Sequence, residues 1–297
     1  MLSRIGLGTA QFGSSYGVSN QHGRPTAHDI DEMLDLAWLA GIGVLDTAAA
    51  YGDAEREIGK AMGYLKAFRI VTKTLPIADS VISRVHARRV AERFMQSLEA
   101  MRQPSIHGLL IHHGELLQRP GAEHVVDELQ RLRDHGFVSK IGVSVYDAAE
   151  LEAAFEVFPF DIVQLPLSVA DQRLLDSGHL AWLKCRGVEI HARSIFLQGL
   201  LLMAPGTLPG PLLPVASALD RFGRSCRDAH CTPLAACLKF ALSVPEIDCV
   251  LVGANRPDEF VDILSSCQSI DDSRIDFSAL AFQDAQYLNP ARWATVH

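Results

Sequence analysis

Eight short runs of mostly apolar residues recur along this chain, and no other feature of the sequence constrains the fold as strongly. The runs are IGLGTA from Ile5, GVLDTA from Gly43, RIVTKT from Arg69, HGLLIHH from His107, KIGVSV from Lys140, FDIVQLP from Phe160, VEIHARS from Val188 and DCVLVGA from Asp248. Several are apolar almost throughout, which is typical of parallel strands covered on both faces. Apolar residues at helical spacing lie between the runs, as in the stripes Met33, Leu36, Ala37, Ala40 and Val90, Phe94, Leu98, Met101.

This alternation of strand and helix predicts an α/β fold, a (β/α)₈ TIM barrel, although a doubly wound open sheet gives a similar local pattern. The number of strands favours the barrel. The chain has 297 residues, and such barrels typically have about 250. We therefore expect a single domain over residues 1–297. The Pro- and Gly-rich segment Met203–Pro214 is predicted to belong to a long loop after strand seven, at about residues 196–215.

Charge and hydropathy exclude several classes of partner. The formal net charge is −8, and no dense run of Lys or Arg offers a grip on a nucleic-acid backbone. The opening residues MLSRIGLGTAQFG lack the pattern of a signal peptide, a basic start followed by an apolar stretch, and no apolar stretch reaches the roughly 18 residues of a membrane-spanning helix. The cysteines show no CxxC or zinc spacing, as expected of thiols in a reducing compartment. The sequence thus predicts a cytoplasmic protein without a nucleic-acid or membrane partner, and it leaves the oligomeric state open.

The ends of three consecutive predicted strands carry groups that can transfer protons. In a (β/α)₈ barrel the reactive side chains come from the C-terminal strand ends and the loops that follow. This rule selects Asp46, Tyr51 in the next loop, Lys73, and His112 or His113. Taken singly, Asp46 could cap a helix, Lys73 could be solvated, and Tyr51 could be a packing residue. Their joint placement favours a proton-transfer site.

The chemistry of these residue types supports that interpretation. Tyrosine has a reference pKa of about 10, which is too high for easy proton transfer at neutral pH. A nearby ammonium, Lys73, is expected to lower the pKa of Tyr51, and the carboxylate of Asp46 is expected to keep that ammonium charged. Tyr51 would then serve either as a proton donor or as a proton acceptor.

The order of the motifs resembles that of the aldo-keto reductase family. The segments LGTAQFG, LDTAAAYGDAEREIGKAM, VTKT, LLIHH, KIGVSVY, VQLPLSVADQR, ARSIFLQGLL and VLVGANRPDEF carry the resemblance over residues 7 to 260. It implies an oxidoreductase that interconverts a carbonyl and an alcohol by hydride transfer, with Tyr51, Lys73, Asp46 and His112 as catalytic residues. His113 would line the substrate pocket. The opening AQFGSSYGVSN and the segment HARSIFLQGLL are similar to a bacterial subgroup associated with sugar metabolism, so a small carbonyl compound or a sugar is the expected substrate.

The resemblance also implies a nicotinamide dinucleotide across the barrel mouth. The matching positions are Gly8, Thr9, Asp46, Ser144, Gln164, Arg193, Leu197, Gln198, Gly199, Gly253, Arg256 and Glu259. Three residues depart from the common pattern: Val145 replaces an Asn, Arg193 replaces an aromatic residue, and Glu259 replaces a basic one. Because Arg256 could bind a 2′-phosphate, NADP(H) is the expected cofactor, with NAD(H) possible because Glu259 would repel that phosphate.

Two other functions are compatible with parts of the sequence. A non-enzymatic regulatory barrel that binds the nucleotide could retain the same motifs. A metallohydrolase could use Asp46, His112, His113 and His191, but strand one carries no HxH pair, so no metal is expected. The aromatic residues of the tail, Phe282, Tyr287 and Trp293, could line the pocket or pack on the outer surface.

Overall fold

Eight parallel strands close into a barrel, and their order around the barrel is their order along the chain. The computed structural model describes residues 2–61, 68–268, 275–282 and 284–293. The strands are β1 (Ile5–Gly8), β2 (Val44–Asp46), β3 (Arg69–Lys73), β4 (Ile106–Ile111), β5 (Val138–Ser144), β6 (Ile162–Pro166), β7 (Glu189–Arg193) and β8 (Cys249–Val252). Six of the eight predicted runs contain the whole of one strand, whereas β4 begins one residue and β5 two residues before the run predicted for it. The barrel closes where Gly6 of β1 pairs with both Val44 and Leu251, so the open-sheet alternative is wrong.

The helices lie between the strands and in the segments that flank them. They are α1 (Ala10–Gly13), α2 (Ala27–Leu39), α3 (Ala54–Ala61), α4 (Arg84–Ala100), α5 (Glu123–Asp134), α6 (Ala148–Val157), α7 (Arg173–Asp176), α8 (His179–Lys184), α9 (Ala216–Asp228), α10 (Pro233–Ser243) and α11 (Pro257–Gln268). None of the helices in the described ranges is long and apolar enough to cross a membrane.

Local sequence explains where the first long helix begins and which face it buries. The side chain of Thr26 accepts a hydrogen bond from the Asp29 backbone N–H, and the Asp29 carboxylate accepts one from the Thr26 backbone N–H. This reciprocal pair is a capping box, which satisfies two amide groups that a helix start leaves free. Met33 and Ala37 of the predicted stripe are fully buried in α2.

Two apolar layers result from the alternation of side chains along each strand. One fills the inside of the barrel and consists of Val44, Val71, Leu110, Ile162, Cys249 and Leu251. The other packs the outer strand face against the helices, where Leu45 meets the apolar face that includes Ile30 and Met33 of α2. The strands are therefore covered on both sides, which explains their nearly continuous apolar sequences.

A carboxylate at the N-terminal end of the strands ties three of them together. Glu189 of β7 accepts hydrogen bonds from His191 Nε2 (2.8 Å), His107 Nε2 of β4 (2.9 Å) and Lys140 Nζ of β5 (2.6 Å). Burial raises the pKa of the Glu189 carboxyl, but the three hydrogen bonds outweigh it and hold the pKa well below its usual range. We call this group the floor cluster. It lies at the opposite end of the barrel from the strand ends that were predicted to be reactive.

The segment between β7 and α9 is built from 3₁₀ turns. It contains Leu200–Leu202, Pro205–Thr207 and Gly210–Val215. Before them, Ser194, Leu197 and Gln198 adopt positive φ angles of 61°, 49° and 56°. Positive φ is costly for residues other than glycine and is found where surrounding contacts impose it. The backbone carbonyl of Gln198 accepts a hydrogen bond from the Val18 N–H at 3.0 Å, so this loop is held against the loop that follows β1.

We expect Gly142→Ala in β5 to lower the free energy of unfolding by about 1–3 kcal/mol, the usual cost of overpacking. A Cβ there would overlap the side chain of Leu110 and the backbone carbonyl of Ile162. Gly43→Ala is the matched control, because a Cβ at Gly43 meets nothing within 4 Å. Urea denaturation of both variants measures the difference. Equal stability losses would show that close packing at Gly142 does not limit the barrel.

Candidate active site

A cavity of about 810 Å³ lies at the C-terminal ends of the strands. The four residues predicted to be catalytic, Asp46, Tyr51, Lys73 and His112, all line it. Asp46 ends β2, Lys73 ends β3, and His112 follows β4 directly. Tyr51 lies in the loop between β2 and α3. Parallel strands in register bring these ends to one side of the barrel mouth, as the strand-end rule predicts.

Lys73 and Asp46 form a buried ion pair at the base of the cavity. Lys73 Nζ donates to both carboxylate oxygens of Asp46, at 2.9 and 2.7 Å, and to the Thr47 carbonyl at 2.9 Å. Gln164 Nε2 donates to Asp46 Oδ1 at 2.6 Å. Burial lowers the pKa of Lys73, and the charge and hydrogen bonds of Asp46 oppose that effect. The pair is thus held by hydrogen bonds that satisfy the ammonium and bind both oxygens of the carboxylate.

Tyr51 lies beside this pair, but its pKa moves in the direction opposite to the one that the sequence suggested. Lys73 Nζ is 5.1 Å from the centroid of the Tyr51 ring. Burial raises the pKa of Tyr51 most, the negative charge of Asp46 raises it further, and Arg193 opposes both. The lowering expected from Lys73 does not set the direction of the shift, because burial and the charge of Asp46 raise the pKa of Tyr51. The phenol is therefore protonated at neutral pH, which suits a proton donor.

His112 packs between Tyr51 and His113. Its ring is 5.9 Å from the Tyr51 ring in an edge-on arrangement and is stacked on His113 at 4.6 Å. Burial lowers the pKa of His112 to about 3, and the positive charge of Lys73 adds to this effect. The imidazole is therefore neutral near pH 7, and a neutral imidazole can donate a hydrogen bond from only one nitrogen.

His113 does not line the large cavity. It lines a second cavity of about 250 Å³, together with Thr74, Glu115 and Arg119, and His112 borders both cavities. The residue predicted for the substrate pocket is thus separated from the larger cavity by the His112 ring.

Most residues predicted to bind the cofactor surround the larger cavity. They are Gly8, Thr9, Asp46, Ser144, Gln164, Arg193, Gln198, Gly199, Gly253 and Glu259. Leu197 and Arg256 are not among the described residues that line it. Leu197 is buried beneath the loop. Arg256 is exposed, and its Nε donates to Asp258 Oδ1 at 2.9 Å.

Two glycines on the cavity wall leave room for side chains of α1 and of the segment that follows it. A side chain at Gly253 would come within 2.5 Å of the Gln11 amide, and one at Gly199 would overlap Ser19. Glycine at these positions lets the side chains of Gln11 and Ser19 pack close against the backbone of the cavity wall. Ser144 and Gln164 offer polar groups near the ion pair. Glu259, which also lines the cavity, accepts a hydrogen bond at Oε2 from the Asn255 backbone N–H at 2.8 Å.

Besides Tyr51 and His112, the described residues that border the cavity include four aromatic ones: Tyr16, Tyr146, Phe196 and Trp293. Tyr16, in the loop after β1, accepts a hydrogen bond from Gln198 Nε2 at 3.2 Å. Tyr146, just beyond β5, lies 4.2 Å from the Arg193 guanidinium. The strand-end rule could have identified Tyr146, but nothing in the local sequence marks Tyr16. Trp293 of the tail also lines the cavity, whereas Phe282 and Tyr287 pack partly buried against the core.

The residues that a metallohydrolase would need as metal ligands do not lie together in the structure. His191 donates to Glu189 in the floor cluster, and Asp46 is occupied by Lys73. Across the part of the chain that the structure describes, no three His, Cys, Asp or Glu side chains are grouped so that they could hold a metal ion.

Comparison with known proteins agrees with the barrel fold and with the family that the motifs resemble. The model of the Aldo/keto reductase family matches residues 4–277. The NADH-specific methylglyoxal reductase of Escherichia coli K12 is 25% identical over 290 residues, which cover 87% of each chain.

Solved structures show the same fold. The aldo-keto reductase AKR11C1 from Bacillus halodurans, in its holo form, has a TM-score of 0.74 at 18% identity and matches 98% of this chain and 95% of its own. The glycerol dehydrogenase AKR11B4 from Gluconobacter oxydans has a TM-score of 0.68 at 19% identity, over 97% and 92% of the two chains.

We expect His112 to remain neutral between about pH 5 and pH 8, where an ordinary histidine titrates. Its pKa of about 3 means that the cationic form appears only in more acidic solution, because burial and Lys73 both disfavour a positive charge. Nitrogen chemical shifts of the labelled imidazole, assigned with a His112→Gln variant, measure this directly. Free imidazole in the same buffer is the reference. A midpoint near 6 would contradict the described environment of the ring.

Proposed function

Because the chain belongs to the aldo/keto reductase family, whose members are oxidoreductases that use nicotinamide cofactors, we propose that it reduces a small carbonyl compound to an alcohol, with Tyr51 as the proton donor. One observation carries the proposal: Tyr51, His112 and the ion pair of Lys73 with Asp46 meet at one wall of a cavity with room for a dinucleotide. These groups can polarise a carbonyl oxygen and supply its proton.

The phenol of Tyr51 acts in the direction of reduction. When bound, the nicotinamide would supply the hydride that reaches the carbonyl carbon. The oxygen then gains negative charge and takes the proton of the Tyr51 hydroxyl. A phenol of raised pKa keeps this proton until the charge develops, and a nascent alkoxide is a strong enough base to remove it.

The other three residues position the reacting groups and stabilise the charges that form during the reaction. His112, being neutral, offers an N–H to the same oxygen without adding a charge. Lys73 stabilises the phenolate that forms after proton transfer, since its ammonium lies 5.1 Å from the ring centroid. Asp46 fixes that ammonium through both carboxylate oxygens. In the oxidative direction, the same phenolate would remove the proton of the alcohol.

We further propose NADH as the preferred cofactor, although the sequence favoured NADP(H). That preference depended on Arg256, which is exposed and paired with Asp258. Glu259 instead lines the cavity, where its carboxylate would repel a 2′-phosphate and could accept a hydrogen bond from a ribose hydroxyl. The NADH-specific Escherichia coli relative supports this choice.

The substrate class is a small, polar carbonyl compound. The methylglyoxal reductase relative and the polar wall formed by Tyr51 and His112 support small aldehydes and short sugars. A panel of methylglyoxal, hydroxyaldehydes and aldoses, followed by the loss of NADH absorbance, tests the reaction class. If NADH binds but none of these compounds is reduced, the regulatory barrel becomes the better explanation.

We expect Tyr51→Phe to lower kcat by about 10²-fold or more, because only the hydroxyl that donates the proton is lost. NADH affinity should change little. Tyr287→Phe is the matched control, because this tyrosine packs against the core away from the cavity, and it should retain kcat within a few fold. Stopped-flow measurement of a single turnover isolates the chemical step. A Tyr51→Phe rate close to that of the parent would exclude Tyr51 as the proton donor.

The cofactor proposal predicts that NADH binds more tightly than NADPH. Glu259→Gln should lower the ratio of the NADPH dissociation constant to the NADH dissociation constant about tenfold, mainly by improving NADPH binding. Glutamine keeps an acceptor for the Asn255 N–H. Glu150→Gln is the matched control, because Glu150 accepts from the Tyr146 N–H at 2.8 Å in the same i, i+4 arrangement. Fluorescence titration with each cofactor gives the affinities. If the variant leaves the preference unchanged, Glu259 does not set it.

A further inference from the structure

Arg193 places a positive charge inside the cavity, and within the described part of the chain no carboxylate forms an ion pair with it. Its Nη2 donates to the Val145 carbonyl at 3.1 Å, and its Nη1 donates to the Ser194 hydroxyl at 3.2 Å. Its guanidinium carbon lies 4.2 Å from the centroid of the Tyr146 ring. In the described part of the chain, these contacts comprise a carbonyl, a hydroxyl and an aromatic face. They fix the position of the guanidinium and leave its charge uncompensated.

The other groups at this end of the cavity carry no net charge. Lys73 is compensated by Asp46, His112 is neutral and Tyr51 is protonated. Glu150, whose carboxyl Arg193 influences electrostatically, accepts a hydrogen bond from the Tyr146 backbone N–H and is not among the described residues that line the cavity. Glu259 and Asp262 line the cavity with Asn255 and Ile263, around the start of α11. The end of the cavity where the reaction takes place therefore carries a net positive charge of about one unit, which comes from Arg193.

Arg193 lies close enough to Tyr51 for the guanidinium charge to act on any group that reacts beside that phenol. Both residues line the same cavity, and the guanidinium acts electrostatically on the Tyr51 phenol and on the Lys73 ammonium. A nicotinamide ring that delivers hydride to a carbonyl bound at Tyr51 must lie within a few ångströms of that phenol. It must then also lie within the field of Arg193, because charges at such distances interact strongly when water is excluded.

We propose that Arg193 makes this site select the reduced cofactor over the oxidised one, an inference that rests on the proposed function. The nicotinamide ring is neutral in NADH and positively charged in NAD⁺. An uncompensated cation beside the ring disfavours NAD⁺ and leaves NADH largely unaffected, while the phosphates and ribose groups are common to both. The site thus fills with the reduced form, and the ring cation that remains after hydride transfer is repelled.

The ratio of two dissociation constants tests the proposal without any turnover. Purified protein is titrated with NADH by fluorescence and with NAD⁺ by competition or calorimetry. For the parent, the Kd for NAD⁺ should exceed that for NADH by about tenfold or more. Arg193→Gln should reduce this ratio about tenfold, mainly by tightening NAD⁺ binding, and Arg193→Lys should retain most of it. A tenfold change equals about 30 mV in the midpoint potential of the bound two-electron couple.

The matched control is Arg186→Gln. The Arg186 guanidinium carbon lies 3.9 Å from the centroid of the Trp182 ring, so it makes the same kind of cation–aromatic contact away from the cavity. This variant should leave the ratio unchanged. Arg193→Met provides a second neutral side chain if the glutamine variant does not fold, as judged by circular dichroism.

Each remaining outcome has a separate meaning. If the neutral variants bind both forms with the parent ratio, Arg193 does not select the redox state, and the inference is wrong while the proposed function stands. The same holds if Arg193 serves instead to bind an anionic group of the substrate, because the ratio measured without substrate would then be unaffected by its loss. If the parent binds neither NADH nor NAD⁺, the proposed function itself fails.

Discussion

Lys73 is one of the largest side chains that the barrel buries completely, and it is charged. An ammonium taken out of water is stable only where oxygen atoms replace its hydration, and here Asp46 and the Thr47 carbonyl provide them. Removing one member of such a pair typically costs about 3–5 kcal/mol, because the other charge is left buried and alone. The positions of β2 and β3 are therefore coupled through their last residues, and the geometry of the cavity depends on that coupling.

The rest of the mouth is arranged around the same carboxylate. Gln164 reaches it from β6, on the far side of the barrel. Thr9 binds the Asp46 backbone carbonyl through its N–H and its hydroxyl, at 2.9 and 3.0 Å, which fixes the start of the first loop. With Asp46 held from three directions, Tyr51 and His112 are oriented by packing, and neither ring forms an ion pair within the described part of the chain. Preorganisation of this kind lets a site act without rearranging during the reaction.

The sequence predicted the barrel and the wall of the site well because both follow from periodicity. Strand alternation identifies which residues face inward, and the strand-end rule brought Asp46, Lys73 and His112 together. His113 illustrates the limit of that rule, since successive residues leave a strand end on different sides. The pKa of Tyr51 was predicted in the wrong direction, because burial is a property of the folded chain and outweighed the charge that the sequence showed.

The floor cluster and the mouth use the two ends of the same strands for different purposes. Glu189 joins β4, β5 and β7 through His107, Lys140 and His191, whereas the residues that depart from the family pattern, Val145 and Arg193, lie at the opposite ends of β5 and β7. A mutation at the mouth can therefore alter chemistry while the contacts that join β4, β5 and β7 at the floor persist. In evolutionary terms, this separation makes the scaffold robust and the site adaptable, so new specificities can arise in this chain by local changes at a few strand ends.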